Sequence, residues 1–168
     1  SWPCMYCGCN DSAINSHLLM RNGILNYVVE NGHLYELRSD APEAFKKEEL
    51  PISFKKVGIN QSISFPLFCN GHDTSVFIEI ENEDVDYTLY KHMLLYSYRA
   101  LLAEIRKKEI EVEKNRRIIH SSTLYGILGG VTIDNFSRSY DLELQGIKDL
   151  EYYKEEILND LQSSTESF

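Results

Sequence analysis

The spacing of apolar positions changes partway along the chain and divides it into two parts. Up to about residue 83, apolar residues come in short β-branched and aromatic runs separated by turn residues, a pattern typical of strands. From Asp86 onward they recur every three or four residues, which is typical of one face of an α-helix. The pattern predicts an α+β protein, with a first part over residues 1–83 and a helical part over 84–168.

Short strands and a turn dominate the predicted first part. Asn31-Gly32 favours a two-residue β-turn, so the strand after it is expected to return along the strand before it as a hairpin. The polar segment 39–51, with prolines near both ends, predicts a loop with at most a short helix over 43–48. The predicted extended segments are 24–29, 33–38, 52–59 and 63–68.

Two long helices are predicted in the second part. Asp86 is a suitable N-cap for the first, whose apolar stripe comprises Leu94, Leu95, Tyr98, Leu101, Leu102 and Ile105. The glycine-containing segment 120–137 is expected to end this helix. A last helix is predicted over 138–162, with an apolar seam at Ile147, Leu150, Ile157 and Leu161. The two apolar faces predict an antiparallel helical hairpin.

Composition limits the classes of protein that the chain can belong to. It is 43% hydrophobic and 26% charged, which is typical of a globular protein. No apolar run is long enough for a membrane span, and no signal peptide is visible, so we expect a cytoplasmic protein. The net charge of −9 weighs against a free-standing protein that binds duplex nucleic acid.

Cysteines and one histidine have the spacing of a split metal site. Cys4 and Cys7 form a Cys-x-x-Cys pair, and Cys69 and His72 form a Cys-x-x-His pair. Together they supply four ligands suited to a structural zinc ion in tetrahedral coordination. The long gap between the pairs is unlike a short zinc finger. It predicts a treble clef, in which a knuckle and a β-hairpin precede a helix whose first turn carries the second pair.

Two other interpretations of these cysteines remain open. They could be scattered buried thiols or, in a secreted protein, two disulfides. Cys9 could also replace Cys7 as a ligand, but Gly8 after Cys7 suits a tight knuckle turn, so the prediction leaves Cys9 outside the ligand set.

With these ligands in place, the N-terminal part resembles the HNH, or ββα-metal, endonucleases in their zinc-stabilised form. The similarity is carried by the two ligand pairs, by Ser16-His17 and by Asp73, and it covers roughly residues 4–78. The chain is also similar to bacterial proteins of unassigned activity that share these motifs, some of them encoded near phage-defence genes.

The resemblance implies metal-dependent hydrolysis of phosphodiesters in DNA or RNA, in a bacterial defence setting. His17 matches the family's general base, Ser16 stands where the family has a metal-binding Asp, and Asp73 matches an Asn that helps to hold Mg²⁺ or another divalent ion. Serine is a weak ligand for such an ion, and this departure puts catalysis in doubt. His17 could instead be a zinc ligand or a buried histidine that braces the knuckle.

A second functional hypothesis uses the same elements without catalysis. The zinc module and the helical hairpin would then form a platform for a protein partner, or for homodimerisation through the helices. An inactive relative of the nucleases would also fit this description.

Overall fold

A computed structural model of the chain describes residues 1–6, 8–19, 25–39, 52–81, 85–128, 130–163 and 166–167. It contains four strands and five helical segments in these ranges, with 3₁₀ turns at Ile59–Gln61 and Ile78–Ile80. The strands are β1 (Asn15–His17), β2 (His33–Ser39), β3 (Ile52–Gly58) and β4 (Ser64–Pro66). The helical segments are α1 (Asn26–Val28), α2 (Asn70–Phe77), α3 (Tyr90–Ile119), α4 (Ser122–Leu128) and α5 (Gly130–Ser163).

The four strands form two small antiparallel sheets. β1 pairs with β4, and Ser16 lies opposite Phe65. β2 pairs with β3, and Leu37 lies opposite Phe54. The β2–β3 pair is inserted in the chain between β1 and β4. The predicted mixture of helix and antiparallel sheet is therefore confirmed.

The predicted strand over 24–29 is wrong where the structure describes it. Residues 26–28 form the helical turn α1, and the side chain of Tyr27 is 91% exposed. The Asn31-Gly32 turn does form, since both residues have positive φ, but a single bridge joins Glu30 to His33 across it. β2 pairs instead along its whole length with β3, which supplies far more backbone hydrogen bonds than the local hairpin would.

The helical hairpin in the second part is confirmed. α3 and α5 run antiparallel, since the residue numbers of their contacts rise in one helix as they fall in the other. Side-chain hydrogen bonds between described residues join the two helices, from Tyr90 to Asp160, from Lys108 to Glu143 and from Asn115 to Ser139.

Both helices begin at residues other than those predicted. Asp86 does not cap α3, because its carboxylate accepts hydrogen bonds from the Thr88 backbone N–H and hydroxyl. This local turn holds the chain out of the helix until Tyr90. α5 begins at Gly130 rather than at 138, so α4 and the first turns of α5 together occupy most of the segment predicted to be a break.

One hydrophobic core joins the parts before and after residue 84. It combines Leu67, Phe68 and Phe77 from the first part with α3 and α5 residues such as Leu102 and Ile157. The predicted loop at 40–51, including the short helix at 43–48, lies outside the described residues. None of the helices in the described ranges has the length and apolar character that a membrane crossing requires.

Arg106 of α3 ties the long helices to the N-terminus. Its guanidinium is buried, donates a hydrogen bond of 2.7 Å to the Pro3 carbonyl and lies 4.9 Å from the centre of the Trp2 ring. It also forms an ion pair with Glu109, at 2.7 Å. Burial lowers the pKa of Arg106 and raises that of Glu109, and in each case the charge of the partner opposes the shift.

We expect Arg106→Ala to lower the free energy of unfolding by about 3 kcal/mol, because it leaves Glu109 half-buried without its partner. Urea unfolding followed by circular dichroism measures the change. Arg117→Ala is the control, since the Arg117 side chain is 75% exposed, and it should change stability by less than about 0.5 kcal/mol. Equal effects of the two substitutions would contradict this account of Arg106.

Candidate metal centre

Three cysteines and one histidine converge at the junction of the N-terminal segment and α2. One sulfur or nitrogen atom from each of Cys4, Cys9, Cys69 and His72 lies within 4.8 Å of the corresponding atoms of the other three. Cys4 and Cys69 are buried, and the other two are partly exposed. Cys4, Cys9 and Cys69 are free thiols, which excludes the disulfide interpretation for these three.

Three of the six distances between these sulfur and nitrogen atoms are close to the edges of a zinc tetrahedron, and all six are within 4.8 Å. With zinc–sulfur bonds of about 2.3 Å and a zinc–nitrogen bond of about 2.0 Å, the sulfur–sulfur edges measure about 3.8 Å and the sulfur–nitrogen edges about 3.5 Å. The Cys9 and Cys69 sulfurs lie 3.9 Å apart. His72 Nδ1 lies 3.6 Å from the Cys4 sulfur and 3.2 Å from the Cys69 sulfur. The group could therefore hold an ion such as zinc with little adjustment.

A tight turn at the N-terminus presents the first two thiols. The Cys9 N–H donates to the Tyr6 carbonyl at 3.0 Å, and Gly8 has a φ of 76°, a conformation that glycine adopts without strain. The Cys4 N–H donates to the Asp11 carbonyl at 2.9 Å, so the chain on either side of the turn is held together. These hydrogen bonds fix both sulfurs on the same side of the turn.

The other two ligands lie at the start of α2, as the sequence predicted. Cys69 is the N-cap residue of the helix, and His72 lies within its first turn. The ring of Tyr6 stacks on that of His72, with centroids 4.0 Å apart and planes 10° apart. This stacking orients the imidazole and links the N-terminal turn to the helix.

The thiols of the cluster differ in acidity because they share one small volume. Burial raises the pKa of Cys4, but the backbone N–H groups of Cys69 and Tyr6 outweigh it and hold that pKa below its ordinary value. The Asp11 N–H favours the Cys9 thiolate, yet desolvation and the neighbouring sulfurs of Cys4 and Cys69 raise the pKa of Cys9 to about 11. Charge repulsion from the first thiolate thus disfavours formation of a second one. A bound dication would offset this repulsion.

The cluster contains three of the four predicted ligands and one cysteine that the prediction left out. Cys4, Cys69 and His72 come together, whereas Cys7 lies outside the described residues. Cys9 joins the cluster although the prediction leaves it outside the ligand set. A clue was present in the sequence, since Gly8 can supply the positive φ that turns Cys9 back towards Cys4.

His17 lies at the end of β1 and is held by the chain that follows β3. Its Nε2 lies 3.0 Å from the carbonyl oxygen of Ile59 and therefore donates a hydrogen bond to it, because a carbonyl oxygen can only accept. Its neighbour Ser16 is fully buried, and the Ser16 hydroxyl accepts a hydrogen bond of 3.4 Å from the Phe68 N–H. Ser16 therefore braces the chain leading into α2 and does not face solvent as a metal ligand would.

Asp73 follows His72 in the first turn of α2. Its Oδ1 is buried and accepts no hydrogen bond from any residue that the structure describes. A buried carboxylate oxygen without a partner is costly unless water or a cation binds it. The His17 side chain contacts Ile59 rather than Asp73, and no hydrogen bond within the described ranges joins the two predicted catalytic residues.

Comparisons with known proteins identify no relative of this chain. No protein-family model matches the chain. Similarity searches of curated proteins and of solved structures likewise return no significant match.

Proposed function

We propose that Cys4, Cys9, Cys69 and His72 bind a structural zinc ion. The observation that supports this most is the agreement of their mutual distances with the edges of a zinc tetrahedron. Four protein ligands fill the coordination of zinc and leave no position for water or substrate, which is typical of structural sites. The ion would join the N-terminal turn to α2 and complete a treble clef.

Cys9→Ser should lower bound zinc from about one ion per chain to a small fraction of that value, because oxygen is a poorer ligand than thiolate. Its thermal midpoint should also fall. Plasma mass spectrometry of the purified protein measures the metal. Cys7→Ser is the matched control and should keep its zinc. Loss of zinc in Cys7→Ser, with retention in Cys9→Ser, would instead support the ligand set predicted from sequence.

We further propose that the protein hydrolyses phosphodiester bonds in nucleic acid. The order of β1, β4 and α2, with the candidate zinc ligands before β1 and at the start of α2, supports a ββα arrangement like that of the HNH nucleases. The observation that carries the proposal is the hydrogen bond of His17 Nε2 to the Ile59 carbonyl. It leaves Nδ1 able to accept a proton from an attacking water, the role of a general base.

Asp73 is a described residue whose carboxylate suits a hard cation. Mg²⁺ commonly binds through one or two carboxylates and completes its coordination with water and substrate phosphate. The buried, unpartnered Oδ1 of Asp73 meets the first requirement. Ser16 does not contribute, since its hydroxyl is buried and already hydrogen-bonded. When bound, the cation would neutralise the charge that develops on the phosphate oxygens.

His17→Ala should reduce Mg²⁺- or Mn²⁺-dependent cleavage of single- and double-stranded DNA and RNA by about 10²- to 10⁴-fold, because proton removal from water loses its acceptor. A gel assay with end-labelled substrates measures cleavage. His33→Ala is the control, since the His33 side chain is exposed and hydrogen-bonds to the nearby Asn31 carbonyl. Zinc content and thermal midpoint should stay unchanged in both variants.

Two results would count against the nuclease. One is the absence of cleavage by the zinc-loaded wild-type protein with any of these substrates and ions. The other is loss of zinc or of folding in His17→Ala, which would make His17 a structural residue.

The Ser16 hydroxyl is buried and hydrogen-bonded, so it cannot replace the metal-binding Asp of the nucleases. This favours a second candidate function, in which the protein is an inactive module that dimerises through the helical hairpin. An apolar groove between the start of α3 and the end of α5 supports it, lined by Tyr90, Met93, Leu94, Leu101, Tyr153 and Ile157. Met93 and Tyr153 are about half exposed there, so the groove offers apolar surface to a second copy.

If this candidate holds, the wild-type protein is a dimer by light scattering at micromolar concentration, and Met93→Glu makes it a monomer because a buried charge is costly. Leu142→Glu is the control, since Leu142 is exposed on α5 and does not line the groove. A monomeric wild-type protein would exclude dimerisation through this groove.

A further inference from the structure

The β2–β3 pair presents an apolar face to solvent. Because side chains alternate along a strand, Tyr35 and Leu37 of β2 share a face with Ile52, Phe54 and Lys56 of β3. Tyr35 lies opposite Lys56, and Leu37 lies opposite Phe54. Tyr35 is 64% exposed and Phe54 is 72% exposed, which is unusual for two rings on one small sheet. We call these five residues the outer hairpin face.

The orientation of the outer hairpin face is fixed by contacts on the other side of the sheet. Val57 is buried there, and a carboxylate oxygen of Glu36 accepts a hydrogen bond of 2.7 Å from the Ile63 N–H. Arg38 donates to the Gln61 carbonyl at 3.3 Å. The sheet therefore cannot turn over to bury its aromatic face without breaking these bonds.

The outer hairpin face is continuous with the chain that holds His17. β3 runs directly into Ile59, whose carbonyl oxygen contacts His17 Nε2. At about 3.3 Å per residue, Lys56 lies roughly 10 Å and Phe54 roughly 17 Å along the chain from Ile59. A nucleic-acid strand lying on this face would thus extend towards the proposed catalytic base within a few nucleotides.

The cation on the outer hairpin face, Lys56, indicates the class of ligand. The other charged residues of β2 and β3 are Glu36, Arg38 and Lys55, and they lie on the opposite side of the sheet, where Arg38 pairs with Glu36 at 2.8 Å. Lys56 lies among the apolar residues of the face itself. Charged residues are depleted at the centre of protein–protein interfaces, whereas exposed aromatic rings combined with cations are typical of surfaces that bind single-stranded nucleic acid.

We propose that the outer hairpin face binds single-stranded nucleic acid, with unpaired bases stacking on Tyr35 and Phe54 and Lys56 contacting phosphate. Bases in a duplex have both faces covered by their neighbours, so only single strands can use the rings in this way. The inference deepens the proposed nuclease function by naming its substrate class, although binding itself does not need a catalytic His17.

Fluorescence anisotropy of the full, zinc-loaded chain tests the proposal, without added Mg²⁺, using fluorescein-labelled oligothymidine and oligouridine of 20 nucleotides and a duplex of 20 base pairs. Tyr35→Ala and Phe54→Ala should each weaken binding of the single strands by roughly 5- to 100-fold. Phe54→Tyr keeps a ring and should bind like the wild type. Lys56→Gln should reduce the slope of log affinity against log salt by about 0.7.

Tyr152→Ala is the matched control, because Tyr152 is 62% exposed but lies on α5, away from the hairpin. It should change affinity by less than twofold. The proposal is overturned if Tyr35→Ala and Phe54→Ala bind as the wild type does, if the wild type does not bind single strands, or if it binds the duplex equally well. A dimer in light scattering that Phe54→Ala dissociates would assign the face to a second copy and also overturn it.

The outcomes separate this inference from the proposed function. Binding that depends on Tyr35 and Phe54, without any cleavage that depends on His17, retains the inference and removes the nuclease. Cleavage that depends on His17 but is unchanged by Tyr35→Ala and Phe54→Ala would retain the nuclease and remove the inference about the outer hairpin face.

Discussion

The fold of the first part depends on bringing two distant pairs of side chains that could hold a metal ion into one volume. Cys4 and Cys9 come from the N-terminal turn, and Cys69 and His72 come from the start of α2. Their sulfur and nitrogen atoms lie within 4.8 Å of one another, and three of the distances are close to those of a zinc tetrahedron. β1 and β4 contribute only three residues each, so backbone pairing alone is a weak constraint there. An ion bound by four ligands would supply the missing stability.

The long helices pack against this junction. Leu67, Phe68 and Phe77 on either side of the cluster pack into the same core as α3. Arg106 adds a polar connection, since it donates to the Pro3 carbonyl one residue before Cys4. The metal-binding turn is therefore held by covalent neighbours, by α2 and by a helix that lies much later in the chain. A change in the helical pair would reach the cluster through these contacts.

The inserted hairpin relates the cluster to the proposed chemistry. Because β2 and β3 leave the chain after β1 and return just before β4, the end of β3 lies against His17. The same insertion projects a face with two exposed aromatic rings and Lys56 from a protein that is acidic as a whole. The proposed nucleic-acid ligand would depend on the charge of this face rather than on the net charge of the protein.

Much of the secondary structure and part of the site could be predicted from sequence. The helical spacing of Leu94, Leu95 and Leu102 and the seam containing Ile157 were sufficient for the helical pair, because amphipathic periodicity is a local property. The Cys-x-x-His pair at the start of α2 was recognisable because ligand spacing is also local. The turn at Asn31-Gly32 was predicted correctly because turn preference is also a local property.

What the sequence could not determine involves choices between competing partners. Residues 26–28 have a strand-like composition and could have paired with β2. In the folded chain β2 pairs with β3 instead, and residues 26–28 form a helical turn. Cys9 enters the cluster through the turn at Gly8, and Ser16 is taken up by a hydrogen bond from Phe68. The sequence by itself thus determined which segments are helical and which residue types can bind a metal. The tertiary structure decided which of those residues meet, because that depends on contacts between segments more than fifty residues apart along the chain.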